Sequence, residues 1–105
     1  MLQWLKSLFG SSEAKVDWAK ALKEGALLID VRSQGEYLGG GAKKAINIPL
    51  DQLTTKIGRY SKDTPIIVYC RSGMRSQQAK RVLEQLGYQQ VFNAGGVRNV
   101  IKQIG

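Results

Sequence analysis

A chain of 105 residues is long enough for one hydrophobic core and too short for two domains of ordinary size. Its 43% apolar content with only two prolines excludes a disordered or linker-type chain. Sixteen Lys and Arg against eight Asp and Glu leave a net charge of +8, yet the cations scatter from Lys6 to Lys102 with no block longer than Lys43-Lys44 and no interleaved aromatics, which argues against a nucleic-acid surface and for a small anion or an acidic surface.

The opening stretch, MLQWLKSLFG, places Met1, Leu2, Trp4, Leu5, Leu8 and Phe9 at helical spacing and ends on Gly10. Lys6 interrupts this short amphipathic helix too early for a secretory apolar segment or a transmembrane span. We read it as packing on its own domain, with a dimer contact or membrane-surface attachment as alternatives. Gly10, Ser11 and Ser12 form a joint, so residues 1–13 stand apart from a domain over 14–105, expected as a monomer or weak dimer.

Lys15 and Val16 suggest a brief edge strand, and Asp17 is placed to cap a helix from Trp18 to Lys23 that Gly25 closes. Ala26 to Val31 (ALLIDV) reads as a buried strand ending beside the charged pair Asp30 and Arg32. Ser33 to Leu38 makes one helical turn, and Gly39, Gly40 and Gly41 mark a loop that must bend or lie close against something. Ala45 to Pro49 is a short strand stopped by its proline, with Asn47 structural. Asp51 is positioned to cap a helix to about Tyr60, with Leu53 and Ile57 facing inward.

Pro65 to Tyr69 is apolar and β-branched without polar alternation, the pattern of a strand buried on both faces, and it runs into Cys70. Met74 to Leu86 is a helix with Ala79, Val82, Leu83 and Leu86 on its inner face and Gly87 at its end. Gln90 to Asn93 gives a further strand, Gly95-Gly96 a turn and Val97 to Ile104 a last helix. Strands alternating with helices on short connections predict a parallel sheet covered on both faces. Active groups of such sheets gather at the carboxyl ends of the strands, where Cys70, Asp30, Arg32 and the Gly95-Gly96 turn all fall.

Cys70 is the only cysteine and there is no histidine. An internal disulfide, a C-x-x-C pair, Cys-His and Ser-His-Asp catalysis and His-ligated metal are therefore all excluded within one chain. The lone thiol fits a reducing, cytoplasmic setting. It stands between a strand end and a helix N-terminus, where successive N–H groups converge on an anion. Thiolate chemistry needs such surroundings, and Arg71 and Arg75 add charge to them. Cations at a helix N-terminus oppose its dipole, so these two point to an anionic ligand rather than to a solvated helix start. Ser72 and Ser76 can donate hydroxyl hydrogen bonds to the sulfur, with Ser76 alternatively the helix cap. Gly73 lets the loop curl inward, and Met74 is a side wall or a core contact.

The segments LLIDVRSQGEY, AINIPL, IIVYCRSGMRSQQAKRVLEQLGY and NAGG, in this order and spacing, resemble a single-domain rhodanese, a sulfurtransferase of the thiosulfate type. The resemblance runs from about Val16 to Val100, and CRSGMRS after a buried strand is its most specific part. It implies a three-layer α/β/α fold with a central parallel sheet of about five strands. It also implies a Cys70 persulfide, formed from a small anionic donor such as thiosulfate and discharged to a thiol, cyanide or protein acceptor, without metal or cofactor. No second cysteine can resolve that persulfide, so the sulfur leaves by double displacement. Arg71, Ser72, Gly73, Met74, Arg75 and Ser76 would form the cradle. Asp30 and Arg32, with Glu36 nearby, would brace the loop, the alternative being a surface salt bridge.

Three positions depart from the family pattern. Gly40 and Gly41 stand where a glycine and a histidine are usual, Lys44 where a glycine is common, and Val100 where a tryptophan often follows the double glycine; all three bear on the pocket rim. A cysteine phosphatase or arsenate reductase would need a C-x5-R loop, whereas Arg75 gives C-x4-R and Ser76 holds the later position. A non-catalytic rhodanese-like interaction module commonly lacks the cysteine that this chain keeps.

Overall fold

The computed structural model describes residues 16–105; the segment over 1–13 and Lys15 lie outside that range. Trp18–Lys23 forms α1, with Asp17 Oδ1 accepting the Lys20 N–H at 3.1 Å as its cap. Leu27–Asp30 is β1, Gln34–Leu38 α2 and Ile46–Asn47 β2. A 3-10 turn at Leu50–Gln52, the short α3 at Leu53–Lys56 and a second 3-10 turn at Ile57–Arg59 lead to β3, Ile66–Cys70. Then come α4 (Met74–Gln85), β4 (Val91–Gly96) and α5 (Val97–Ile104). All pairings are parallel and the order is β2-β1-β3-β4, so the described residues form a four-stranded sheet. Val16 is buried but joins no ladder, so it does not extend the sheet by the expected edge strand.

Every residue of β3 is buried, as its unbroken apolar run requires. Strand alternation deals these side chains to two cores. Ile66, Val68 and Cys70 share one with Ala79 and Leu83 of α4 and with Leu53 and Ile57. Ile67 and Tyr69 share the other with Trp18 and Ala21 of α1 and Val100 of α5. The result is the three-layer α/β/α arrangement that the alternating elements predict.

The structure revises three local expectations. Asp51 lies inside a 3-10 turn and caps no helix, because the segment from 50 to 59 breaks into 3-10, α and 3-10 pieces; Leu53 and Ile57 are nevertheless buried. Leu86 is exposed rather than inward, because α4 stops at Gln85. The chain reverses through Gly87 at φ +102°, and Tyr88 takes the inner place, its hydroxyl 2.8 Å from the carbonyls of Ile57 and Tyr60. Gly95 and Gly96 end β4 instead of forming a turn. Val68 pairs with Asn93 and Tyr69 with Gly95, which leaves Ala94 as the extra residue of a bulge.

Candidate active site

Cys70 is the last residue of β3, and three residues carry the chain from it to α4. The tight return is possible because Gly73 adopts φ +106°, a left-handed conformation that side chains resist. The loop lies directly on the end of β4. A Cβ on Gly96 would stand 2.8 Å from the Arg71 carbonyl oxygen, so only glycine admits this contact. That packing is the physical content of the double glycine.

The fold aims donors at the sulfur. Gly73 N–H donates to Cys70 Sγ at 3.0 Å, and Ser76 Oγ lies 3.4 Å away. No side chain caps α4 and no acidic residue sits in its first turn, so its positive end is left for the sulfur. Burial alone pushes the thiol up, but the Ser76 hydroxyl and the N–H groups of Ser76, Gly73 and Ser72 more than offset it. The net pKa of Cys70 falls below the ordinary thiol value, which is what a nucleophilic cysteine requires. With 1% of its surface exposed, the Cys70 thiol is buried at the base of the loop.

Ser76 is not the helix cap. Its hydroxyl is buried and lies 2.7 Å from Asn93 Oδ1 and 3.0 Å from Gly73 O. A hydroxyl has one proton, so Asn93, Gly73 and Cys70 compete for it. When Cys70 is a thiol it can donate to Ser76 Oγ while Ser76 donates to Asn93; when it is a thiolate the demand reverses. Asn93 also accepts the Gly95 N–H at 2.8 Å, which ties the bulge to the cradle. This residue was missed from sequence, although an Asn one residue ahead of two glycines at a strand end was a signal.

The remaining loop residues divide. Arg71 is exposed, without hydrogen bond or ion pair among the described residues. Met74 is 79% exposed and so is no core contact. Arg75 forms a two-pronged pair with Glu36, Nη1 to Oε1 at 2.6 Å and Nη2 to Oε2 at 2.9 Å. Glu36 in turn closes a capping box on α2 with Ser33. The Arg75 guanidinium, together with the Ser33 N–H, lowers the Glu36 pKa to about 2.

Asp30 and Arg32 are no surface pair. Asp30 is fully buried, and Arg32 Nη2 donates to its Oδ2 at 2.7 Å and to Gly40 O at 2.8 Å. The Tyr69 hydroxyl donates to the same Oδ2 at 2.7 Å and accepts the Ala42 N–H at 3.0 Å. Asn47 Nδ2 closes the group by donating to the carbonyls of Asp30 and Arg32 at 2.9 and 3.0 Å, the structural role expected of it. The network therefore holds Gly40 to Ala42 and Tyr69, and among the described residues it reaches the 71–73 loop only through the residue before Cys70. Glu36 belongs to Arg75 instead.

Of the departures noted in sequence, Gly41 finds its reason on this side. A Cβ on Gly41 would lie 2.9 Å from Arg32 Nη2 and 3.1 Å from the Tyr69 hydroxyl oxygen, so the tyrosine fills the room a side chain would need. Val100 is buried with Tyr69 in the core beneath. Lys44 is exposed.

Comparison with known proteins agrees with this geometry. The family profile described as Rhodanese-like domain matches residues 15–102. The chain is 39% identical over 74 residues to the thiosulfate sulfurtransferase PspE of Escherichia coli strain K12, covering 69% of this chain and 71% of that protein. It is 37% identical over 73 residues to a sulfurtransferase of Allochromatium vinosum, covering 70% and 68%. A solved structure titled rhodanese with anions from E. coli superimposes with a TM-score of 0.67 at 38% identity, over 70% of this chain and 89% of that one.

Proposed function

This chain belongs to the rhodanese-like domain family, and we propose that it is a sulfurtransferase that carries sulfane sulfur on Cys70, taken from thiosulfate or a related anionic donor. The observation that carries this reading is the arrangement at the sulfur: a strand-end thiol with the Gly73 N–H at 3.0 Å, the Ser76 hydroxyl at 3.4 Å and a lowered pKa.

The steps follow from those contacts. Cys70 thiolate attacks the outer sulfur of the donor, the donor's S–S bond breaks, and sulfite departs with the electron pair. The outer sulfur, now bonded to Sγ, sits within the loop, where N–H groups and the α4 N-terminus offset its negative charge. Arg71 and the donors of Arg75 not engaged by Glu36 meet the sulfonate oxygens, for which a guanidinium fork is matched. An acceptor nucleophile, cyanide or a thiolate, then attacks the outer sulfur and returns the electron pair to Sγ. Available thiolates suit a reducing, cytoplasmic setting, and no helix among the described residues is long and apolar enough to cross a membrane.

Mass spectrometry after thiosulfate treatment tests the reading. The expected result is a gain of one sulfur atom on the intact protein, absent in Cys70→Ser. An unmodified wild-type Cys70 would overturn it and leave the interaction-module reading in place.

A further inference from the structure

The neighbours of the Asn93 amide allow it one orientation. Gly95 N–H approaches its Oδ1 at 2.8 Å and can only donate, while the Gly73 carbonyl lies 3.3 Å from Nδ2 and can only accept. Gln77 places its amide oxygen 3.1 Å from the same Nδ2. Oδ1 is therefore the atom that faces Ser76, and at 2.7 Å the contact requires the hydroxyl to be the donor. This draws the Ser76 proton away from Cys70, whose Sγ is the more distant partner at 3.4 Å. A thiol suits that arrangement, since its S–H can donate to the Ser76 oxygen. A thiolate does not, because it needs the proton that Asn93 holds.

We propose that Asn93 is a positioning residue for Cys70: it holds the Ser76 hydroxyl while the sulfur is neutral and shares it with the sulfur only when that sulfur is a thiolate. Its part in transfer rests on the sulfurtransferase reading above. In the persulfide the charge has moved to the outer sulfur and Sγ is neutral, so the hydroxyl turns back to Asn93. Only the O–H bond rotates, and no proton leaves Ser76. The pull of Asn93 also limits how far Ser76 stabilises the thiolate, and a less stabilised thiolate is the stronger nucleophile. Because Oδ1 also takes the Gly95 N–H, the bulge at Ala94 fixes where this acceptor stands. Asn93 thus acts on the sulfur from the neighbouring strand, through Ser76.

No other charge changes with it. β4 carries no titratable side chain. Cys70 shares its core with apolar side chains of β1, the 50–59 segment and α4, and with Tyr88, whose hydroxyl is engaged by the carbonyls of Ile57 and Tyr60. The charges around the loop are Arg71, Arg75 with its partner Glu36, and the Asp30–Arg32 pair on the opposite face; Lys80, Arg81 and Glu84 follow along α4.

The test titrates the ultraviolet absorbance of the Cys70 thiolate, which needs no sulfur donor. Asn93→Ala frees the Ser76 proton for the thiolate and is expected to move the midpoint to lower pH. The change is about twofold to tenfold in the thiol–thiolate equilibrium, the span of one ordinary hydrogen bond. Asn93→Asp keeps an acceptor on Ser76 and adds charge, and is expected to move the midpoint to higher pH. In a Ser76→Ala background, Asn93→Ala is expected to leave the midpoint in place. A loosened bulge would move both variants the same way and would persist without the hydroxyl. Shifts of one sign, no shift in either variant, or an Asn93→Ala shift that survives in Ser76→Ala therefore overturns the proposal. Should Asn93→Ala not fold, Asn93→Asp decides: its upward shift must shrink in the Ser76→Ala background, and a shift of equal size there overturns the proposal. Failure of the sulfurtransferase reading shows separately, as a Cys70 that thiosulfate leaves unmodified while the titrations keep their expected signs.

Discussion

On one face of the sheet, Cys70 is surrounded mainly by backbone: the Gly73 N–H, the start of α4 and a single hydroxyl from Ser76. On the other face, the residue before it, Tyr69, ends in a network of side chains in which Asp30, Arg32 and Asn47 bond to one another or to backbone. Strand alternation separates the two although they are adjacent in sequence. The difference reflects what each must do. On the proposed reading Cys70 gains and loses a sulfur atom each cycle, which needs donors that tolerate a changing acceptor, and helix-start N–H groups do so without reorganising. A buried carboxylate must instead have its lone pairs taken permanently, since an unpaired charge there would unfold the edge.

If that division holds, stability and activity separate by face. Asp30→Ala leaves Arg32 charged and buried without its partner, and is expected to destabilise the fold by about 3–5 kcal/mol in urea titration. Cys70→Ser is expected to abolish persulfide formation yet destabilise by about 1 kcal/mol or less, because the serine oxygen accepts the same Gly73 N–H. Similar urea midpoints for the two variants would undo the contrast. Tyr69→Phe should fall between them, at about 1–3 kcal/mol, since Asp30 loses one donor and the Ala42 N–H loses its acceptor.

Ser76→Ala acts on the other face and on a different quantity. Protonated Cys70 is inert, so transfer is lost as pH falls through its pKa, which lies below the ordinary thiol value. Removing the hydroxyl takes away the leading contribution that opposes the effect of burial. The pH–rate profile and the ultraviolet absorbance of the thiolate are both expected to move to higher pH, with transfer at neutral pH down several-fold. A profile that stays in place would assign the lowered pKa to the N–H groups and helix end alone.

How much of this could be read from sequence follows the range of each interaction. The buried run Ile66 to Tyr69, the α4 periodicity and the glycine that turns the loop are local, and local patterning revealed them. The placement of Cys70 at the carboxyl edge followed from topology alone. What the sequence concealed was pairing at a distance. Arg75 and Glu36 are 39 residues apart, as are Tyr69 and Asp30, and nothing in the spacing of either pair announces a contact. Strand Asn93 looked like the end of an element because its bulge, which depends on Gly95 at φ +84°, has no period. Asp51 resembled a cap because capping chemistry is local, while the 3-10 winding that disqualified it is set by how the 50–59 segment packs Leu53 and Ile57.

The Glu36–Arg75 pair lies between the two regimes and carries the smallest expected effect. Its side chains are 32% and 37% exposed, so solvent screens it and its contribution to folding is at most about 1 kcal/mol. The pKa of Glu36 is lowered from 4.5 to about 2, mainly by Arg75. A carboxylate lowered on folding stabilises the native state above its unfolded pKa and ceases to do so as pH falls through the folded value. The contribution is therefore present in full at neutral pH and lost between about 4.5 and about 2. Glu36→Gln should lower the urea midpoint slightly at neutral pH, and the gap between variant and wild type should close towards pH 2. Its larger consequence concerns Arg75, which keeps its charge but loses the carboxylate that orients it. The KM for thiosulfate should rise, with kcat little changed, if Arg75 serves the donor from its fixed pose. A fall in kcat at unchanged KM would instead place Glu36 and Arg75 in the bracing of the loop, alongside Asp30 and Tyr69.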